Sequence, residues 1–117
     1  MNYVFQLKEE ILERPIVIYG AGALGMDCLV ELLNLDVYVE CFCDASPEKQ
    51  KIRMLNKRVI SPDELNDMKE SHNVIVAVAS FKEIGTSLER RGVQHLFYYK
   101  DITPVMAGEI GVEKENC

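Results

Sequence analysis

The sequence is poor in the features that mark several common classes of protein. Its 117 residues include 13 Lys and Arg against 19 Asp and Glu, a formal net charge of −6. A protein that binds the phosphate backbone of nucleic acids instead depends on a broad basic face. The longest apolar run, Val74–Ala79, is far too short to cross a bilayer. The chain is therefore expected to have neither a nucleic-acid partner nor a membrane span.

Cysteine is also sparse, and its spacing matches neither a disulfide framework nor a metal site. Cys28, Cys41, Cys43 and Cys117 form no C-x-x-C pair. Cys41 and Cys43 fall on one face of a strand, but two thiolates are not the four ligands of a structural zinc site, so we expect them to be buried as small apolar residues. Residues 1–13 mix charged with apolar positions and so do not resemble a signal peptide, and the sequence contains no Asn-x-Ser/Thr glycosylation site. These observations predict a reduced, cytoplasmic protein.

The hydrophobic pattern alternates between short apolar bursts and helical periods, and the length allows one domain. Strands are predicted at residues 16–19, 37–43, 58–60, 73–79 and 95–99, and helices at residues 3–13, 23–33, 61–70 and 80–91. Such alternation predicts an α/β fold, a doubly wound parallel sheet of about five strands in a single small domain. We divide the chain into an N-terminal amphipathic helix (1–14), the α/β domain (15–103) and a polar tail (104–117).

Two Ser-x-x-Glu segments predict the starts of helices. Ser61 precedes Glu64 by three residues, with Pro62 at the first helical position, and Ser80 precedes Glu83 in the same way. In such a capping box the serine and glutamate side chains each bind a free backbone N–H group. Both helices are therefore expected to begin with this pair of hydrogen bonds.

A glycine motif joins the first strand to the following helix. The six residues are Gly20, Ala21, Gly22, Ala23, Leu24 and Gly25, which form G-x-G-x-x-G. In a nucleotide-binding loop the first glycine permits a tight turn, the second lets a pyrophosphate approach the backbone, and the third lets the helix pack against the sheet. The phosphate would bind free N–H groups at the helix N-terminus. A glycine-rich turn in a domain that binds nothing is the alternative.

The second strand ends at an acidic residue, as the motif requires. Asp44 lies 24 residues after Gly20, about where a carboxylate would bind ribose hydroxyls. The same residue could instead cap the following turn. Ser80 and Phe81 follow the strand at 73–79, where they would line the ligand crevice at the switch point of the sheet, and Ala79, the last residue of that strand, is assigned to the same site. Ser80 is equally well explained as a helix cap.

The motifs of several enzyme classes are missing. Met26 and Asp27 stand where a P-loop needs Lys and Ser or Thr. No tyrosine is followed four residues later by lysine, so the Tyr-x-x-x-Lys base of short-chain dehydrogenases is absent. His72 is expected in a surface loop, and His95 as a packed or half-exposed residue at the start of the last strand. We assign no catalytic and no metal-binding residue.

Residues 49–58 are basic within an acidic chain. They contain five cations and no acid, namely Lys49, Lys51, Arg53, Lys57 and Arg58. Two interpretations are open for this segment. It is either a solvent-exposed connection or a basic rim of the site, near Asp44, that contacts a ligand phosphate. Because Asp44 would repel the 2′-phosphate of NADP, NAD or a nucleotide-sugar is the preferred ligand.

Four segments resemble a small Rossmann-like domain of bacterial polysaccharide biosynthesis proteins. They are Ile16–Gly25 (IVIYGAGALG), Val39–Asp44 (VECFCD), Val59–Leu65 (VISPDEL) and Asn73–Ser80 (NVIVAVAS). Domains of this kind lie beside glycosyltransferases, methyltransferases and nucleotide-sugar dehydratases, and a similar one forms the N-terminal part of sugar O-acetyltransferases. The resemblance implies binding of NAD(P), a nucleotide-sugar or a CoA-like nucleotide beside a catalytic partner.

Three functional hypotheses follow. The first is a non-catalytic module that binds NAD or a nucleotide-sugar in a polysaccharide or nucleotide-sugar pathway. The second is a fragment or subunit of a dehydrogenase or transferase whose catalytic part is a partner protein or a fused domain. The third is a scaffold that has lost its ligand and assembles, for example as a homodimer, through the N-terminal helix.

Overall fold

A central sheet of six strands organises the chain in a computed structural model that describes residues 9–101. The strands are β1 (Ile16–Tyr19), β2 (Val39–Cys43), β3 (Arg53–Met54), β4 (Lys57–Ile60), β5 (Asn73–Val76) and β6 (Leu96–Tyr98). The helices are α1 (Ala23–Asn34), α2 (Pro62–Leu65) and α3 (Phe81–Arg91), with 3₁₀ turns at Lys49–Lys51 and Asn66–Met68. Residues 9–12 are also helical. The rest of the predicted N-terminal helix, residues 1–8, and the predicted polar tail lie outside the described residues.

The strand order is β3-β4-β2-β1-β5-β6. Every pair is parallel except β3 with β4. The chain runs outward from β1 through β2 to β4 and then returns to the other side of β1 to form β5, so the switch point lies between β1 and β5. This topology confirms the predicted doubly wound α/β fold.

β3 was not predicted from the sequence, since no strand was expected between residues 43 and 58. A strand of two residues is too short to show an alternating pattern. Its hairpin with β4 turns through Leu55 and Asn56, both with positive φ (47° and 65°). Leucine is a poor residue for that conformation, so the turn has no recognisable sequence pattern.

Both faces of the sheet are covered, which explains the continuous apolar strands. One core joins the helical residues 9–12 and α1 to the sheet through Ile11, Leu29 and Phe42. The opposite core joins α2 and α3 to the other face through Leu65 and Leu88. All four residues of β1 are buried, as expected for a central parallel strand. No helix within residues 9–101 is long and apolar enough to span a membrane.

Only one of the two predicted capping boxes forms. The Ser61 hydroxyl accepts a bond from the Glu64 N–H (3.1 Å), and the Glu64 carboxylate accepts one from the Ser61 N–H (2.9 Å). Ser80 begins α3 but makes no side-chain capping bond. Its φ and ψ of −87° and 48° depart from the extended conformation of an N-cap residue, which explains the failure. The end predicted for the helix after Ser61 was also wrong, because the α-helical part stops at Leu65.

A buried asparagine attaches the N-terminal helical segment to the sheet. Asn73, at the start of β5, is fully buried, and its Nδ2 donates to the carbonyl oxygens of Glu10 (2.8 Å) and Ile11 (2.9 Å). The Asn73 N–H donates to the Pro15 carbonyl oxygen at 2.9 Å. The two side-chain bonds reach carbonyl oxygens of the last helical turn, where a helix offers few N–H partners, and the backbone bond continues the pairing of β5 beside β1.

Candidate functional site: the glycine loop and its crevice

The glycine loop, residues 20–25, lies at the carboxyl edge of the sheet, between the end of β1 and the first turn of α1. Hydrogen bonds join the junction of β1 and the loop to the segments on both sides. The Gly20 N–H donates to the Cys43 carbonyl oxygen at 2.8 Å, and the Ala77 N–H donates to the Tyr19 carbonyl oxygen at 2.9 Å. The loop therefore opens at the switch point of the sheet, where parallel α/β folds bind ligands.

The fold itself requires two of the three glycines. Gly20 has φ +117°, and a Cβ atom there would lie 2.6 Å from the Ala77 carbonyl oxygen. A Cβ at Gly25 would lie 1.8 Å from the Gly20 carbonyl oxygen. Any side chain at either position would push the backbone apart. These two positions agree with the predicted turn and helix-packing roles.

Gly22 differs, because no contact with the described residues 9–101 requires it to be glycine. Its backbone is extended, with φ −110° and ψ −154°. A Cβ atom there would meet only the Lys49 Nζ atom, at 3.6 Å, an ordinary contact distance. The middle glycine therefore leaves open space over the loop.

The start of α1 suits an anion. The first bond into the helix runs from the Met26 N–H to the Gly22 carbonyl oxygen at 3.0 Å, and the N–H groups before it have no acceptor within the helix. The first turn contains no acidic residue, and Gly22 supplies no side-chain cap. Among residues 9–101 no side chain accepts from the N–H groups of the first turn, although the Asp44 carboxylate binds the preceding Ala21 N–H, so the positive end of the helix dipole can still bind an anion.

Asp44 is held against the loop by two hydrogen bonds. Its Oδ2 accepts from the Ala21 N–H at 2.8 Å, and its Oδ1 accepts from the Ser46 N–H at 2.9 Å. The second bond is the turn cap considered in the sequence analysis, and the first anchors the glycine loop. Each carboxylate oxygen keeps a further lone pair that a ribose hydroxyl could use. The ribose-binding role stays a prediction.

Lys49, which was expected only as one of five cations in a basic segment, reaches the glycine loop. Its Nζ donates to the Ala21 carbonyl oxygen at 2.9 Å. Asp44 and Lys49 therefore hold the N–H and the C=O of the same loop residue. The basic composition of residues 49–58 was the available indication, but it could not show which of the five cations reaches the loop.

A mainly apolar crevice of about 270 Å³ adjoins the loop on the β5 side. It is lined by Leu24, Ala79, Phe81, Tyr99, Lys100 and the end of β5 with residues 77–78. The structure thus places Leu24 and Ala79, two of the predicted site residues, on the wall of one crevice. Ser80 is exposed and does not line this crevice; it borders a shallower depression with Ala79 and Phe81.

The three cysteines among the described residues are buried and make no disulfide with one another. Burial raises the pKa of the Cys28 and Cys43 thiols to about 12 and that of Cys41 to about 11, so these buried cysteines are protonated and poorly nucleophilic near neutral pH. No group of three or more potential metal ligands occurs among residues 9–101.

His72 is not the surface-loop residue that was expected. Its side chain is only 14% exposed, and its Nε2 lies 2.7 Å from Glu40 Oε1. Ile16, the first residue of β1, pairs with Val39 on one side and with Asn73 on the other. Glu40 and His72 are the chain neighbours of these two residues, so their contact passes across β1 at the amino edge of the sheet. His72 therefore lies at the edge opposite the glycine loop.

Several solved structures have a fold similar to that of this chain. UDP-D-quinovosamine 4-dehydrogenase from Vibrio fischeri shares 24% identity with a TM-score of 0.63, over 81% of this chain and 84% of that one. RSP in complex with beta-NADH shares 14% identity with a TM-score of 0.59, over 83% of this chain and 50% of that one. A structure of RSP described as a Rex-family repressor shares 13% identity with a TM-score of 0.59, over 97% and 66%. At these identities the likeness establishes the fold.

The sequence itself matches a family model described as C2185-like, N-terminal, over residues 12–97. No curated protein matches the chain. The matched segment runs from just before β1 into β6 and includes the glycine loop, Asp44 and Lys49. Because it covers most of the 117 residues, the chain belongs to the C2185-like, N-terminal family.

Proposed function

We propose that this domain binds a nucleotide whose diphosphate lies on the glycine loop, either NAD or a nucleotide-sugar. The observation that carries the proposal is Gly22. Gly20 and Gly25 are explained by the fold, but the absence of a side chain at Gly22 relieves no close contact with the part of the chain that the structure describes. Close approach of a ligand to the backbone explains it.

The surroundings of Gly22 support the same ligand class. The free N–H groups of α1 would bind the diphosphate, and Asp44 would accept hydrogen bonds from a ribose. Leu24 and Ala79 would contact the other half of the ligand in the apolar crevice, with Ser80 in the shallower depression beside it. The structurally similar proteins include one solved with beta-NADH and one named for a UDP-sugar.

The domain would act by binding rather than by catalysis. The buried thiols have pKa values raised away from neutrality, and the sequence lacks Tyr-x-x-x-Lys. A catalytic partner or fused domain in a nucleotide-sugar or polysaccharide pathway would then use the bound nucleotide. We propose a cytoplasmic location for this module.

Thermal unfolding with a ligand panel tests the proposal. NAD, NADH, NADP, UDP-sugars, CoA and S-adenosylmethionine would each be added to the wild-type protein and to Gly22→Ala. A ligand at one hundred times its Kd stabilises the native state by about 2.7 kcal/mol, which raises Tm by roughly 10 °C or more in a domain of this size.

We expect NAD(H) or a UDP-sugar to stabilise the wild-type protein, and the same ligand to have little effect on Gly22→Ala. Asp44→Asn should weaken binding as well, since it removes the charged acceptor. If no nucleotide shifts the wild-type Tm, the proposal is wrong and the scaffold hypothesis is favoured. If a nucleotide stabilises Gly22→Ala as strongly as the wild type, binding occurs elsewhere.

A further inference from the structure

The connection that follows β2 folds back over the glycine loop. Within this connection the Gln50 Nε2 donates to the Asp44 carbonyl oxygen at 2.7 Å, and the Gln50 N–H donates to the Ser46 carbonyl oxygen at 3.2 Å. The 3₁₀ turn Lys49–Lys51 is thereby held close to the carboxyl edge of the sheet. This placement brings a segment from outside the glycine motif to the loop.

Lys49 is the residue of that turn that reaches the loop. Its Nζ donates one bond to the Ala21 carbonyl oxygen and would lie 3.6 Å from a Cβ at Gly22. Among the described residues no carboxylate oxygen lies within 4 Å of this half-buried ammonium. An ammonium has three N–H donors, so two remain beside the open space over Gly22.

The neighbouring cations have different surroundings. Arg53 donates to the Asn56 carbonyl oxygen at 2.9 Å within the β3–β4 hairpin, and the Lys57 ammonium lies 5.0 Å from the centre of the Tyr38 ring. Lys51 belongs to the same 3₁₀ turn as Lys49 but is exposed. Lys51 is therefore a matched control, with the same charge and nearly the same position in sequence.

We propose that Lys49 is a specificity-determining residue of the nucleotide site, where its ammonium binds the diphosphate and selects diphosphate-linked nucleotides over nucleosides that lack phosphate. This inference rests on the proposed function. The ammonium and the N–H groups of α1 would contact the same anion from two sides. A charge-assisted hydrogen bond to a partly buried phosphate corresponds to roughly 10- to 100-fold in affinity.

The variants are chosen to separate the charge of Lys49 from its bond to Ala21. Lys49→Gln keeps an N–H donor for the Ala21 carbonyl but removes the charge, and Lys51→Gln removes an equal charge from the exposed neighbour. Calorimetric titration would use NADH with adenosine as its phosphate-free match, and UDP-N-acetylglucosamine with uridine. Each titration would be done at two salt concentrations, with Tm measured to confirm that the variants fold.

We expect Lys49→Gln to lower the affinity for the diphosphate nucleotide about 10- to 100-fold. The variant should also prefer this nucleotide less strongly over the matching nucleoside. Its affinity should also depend less on salt, because a cation has been removed from the anion site. Lys51→Gln should bind within about twofold of wild type, as its charge is exposed and screened.

Two failures can be told apart. If the wild-type protein binds a diphosphate nucleotide and Lys49→Gln binds it equally well with the same salt dependence, the role of Lys49 is refuted and the proposed function stands. If the wild-type protein binds neither NADH nor UDP-N-acetylglucosamine, both are overturned. An equal loss in Lys51→Gln would show a general charge effect and would also refute the assignment.

Discussion

Replacing Gly25 with alanine should destabilise the domain through a clash that no rotamer can relieve. The added Cβ would lie 1.8 Å from the Gly20 carbonyl oxygen, and this backbone oxygen is held at the end of β1. Either the first turn of α1 or the end of β1 must therefore move. Overpacking of this kind costs about 1–3 kcal/mol, and a backbone clash at this distance lies at the upper end of that range.

The better helix propensity of alanine offsets up to about 1 kcal/mol of the clash. The net loss for Gly25→Ala is therefore about 2 kcal/mol, which lowers Tm by roughly 8–16 °C in a domain of 60–100 ordered residues. Urea unfolding followed by far-UV circular dichroism, together with a thermal scan, measures both quantities.

Gly22→Ala is the matched control, since it makes the same chemical change three residues away. The nearest protein atom to its Cβ would be Lys49 Nζ at 3.6 Å, and φ is −110°. Alanine is a poorer N-cap residue than glycine, but it also restricts the unfolded chain, so the two effects oppose each other and stability should stay within about 1 kcal/mol of wild type. A stable Gly25→Ala variant, or a Gly22→Ala variant that is equally destabilised, would refute the geometric argument.

Three further predictions concern stability. Ser61→Ala should lower the free energy of unfolding by about 1 kcal/mol, because it removes a capping bond, while Ser80→Ala should leave it unchanged; similar losses in urea unfolding would contradict the difference. Asn73→Ala should lower it by about 1–3 kcal/mol and speed hydrogen exchange in the helical residues 9–12, whereas unchanged exchange would deny that Asn73 holds this segment. Above pH 9 stability should fall as pH rises, because the thiols of Cys28 and Cys43 ionise in the unfolded chain but stay protonated in the native state. The slope approaches about 1.4 kcal/mol per pH unit for each such thiol, and Cys43→Ala should reduce it; an unchanged slope would show that Cys43 does not contribute.

The strands and the glycine loop could be predicted because burial on both faces leaves a direct record in the sequence. Ile16–Tyr19 and Asn73–Val76 are strands at the centre of the sheet and are buried throughout. A continuous apolar burst of this kind closed by Gly20 has few other structural solutions. The order of such bursts and helical periods then determined the doubly wound fold.

The positions of individual polar side chains could not be predicted in the same way. Ser61 and Ser80 have the same Ser-x-x-Glu spacing, but only Ser61 has the backbone conformation that a capping bond needs. His72 meets Glu40 across a sheet edge, 32 residues away in sequence. Contacts of this kind depend on how connections without periodicity pass over the sheet, and no local pattern records that path.

Asp44 illustrates the consequence for assigning the candidate site. Asp44 and Lys49 hold the two polar groups of Ala21, so the glycine loop has its conformation before any ligand arrives. A preformed loop avoids the entropic cost of ordering on binding, but it also gives Asp44 a structural role beside the proposed ribose contact. A loss of binding in Asp44→Asn alone would therefore connect Asp44 with the site without identifying the ribose. The decisive comparison is between a ligand and its analogue lacking the ribose hydroxyls, because only a direct contact makes the wild-type preference for those hydroxyls disappear in the variant.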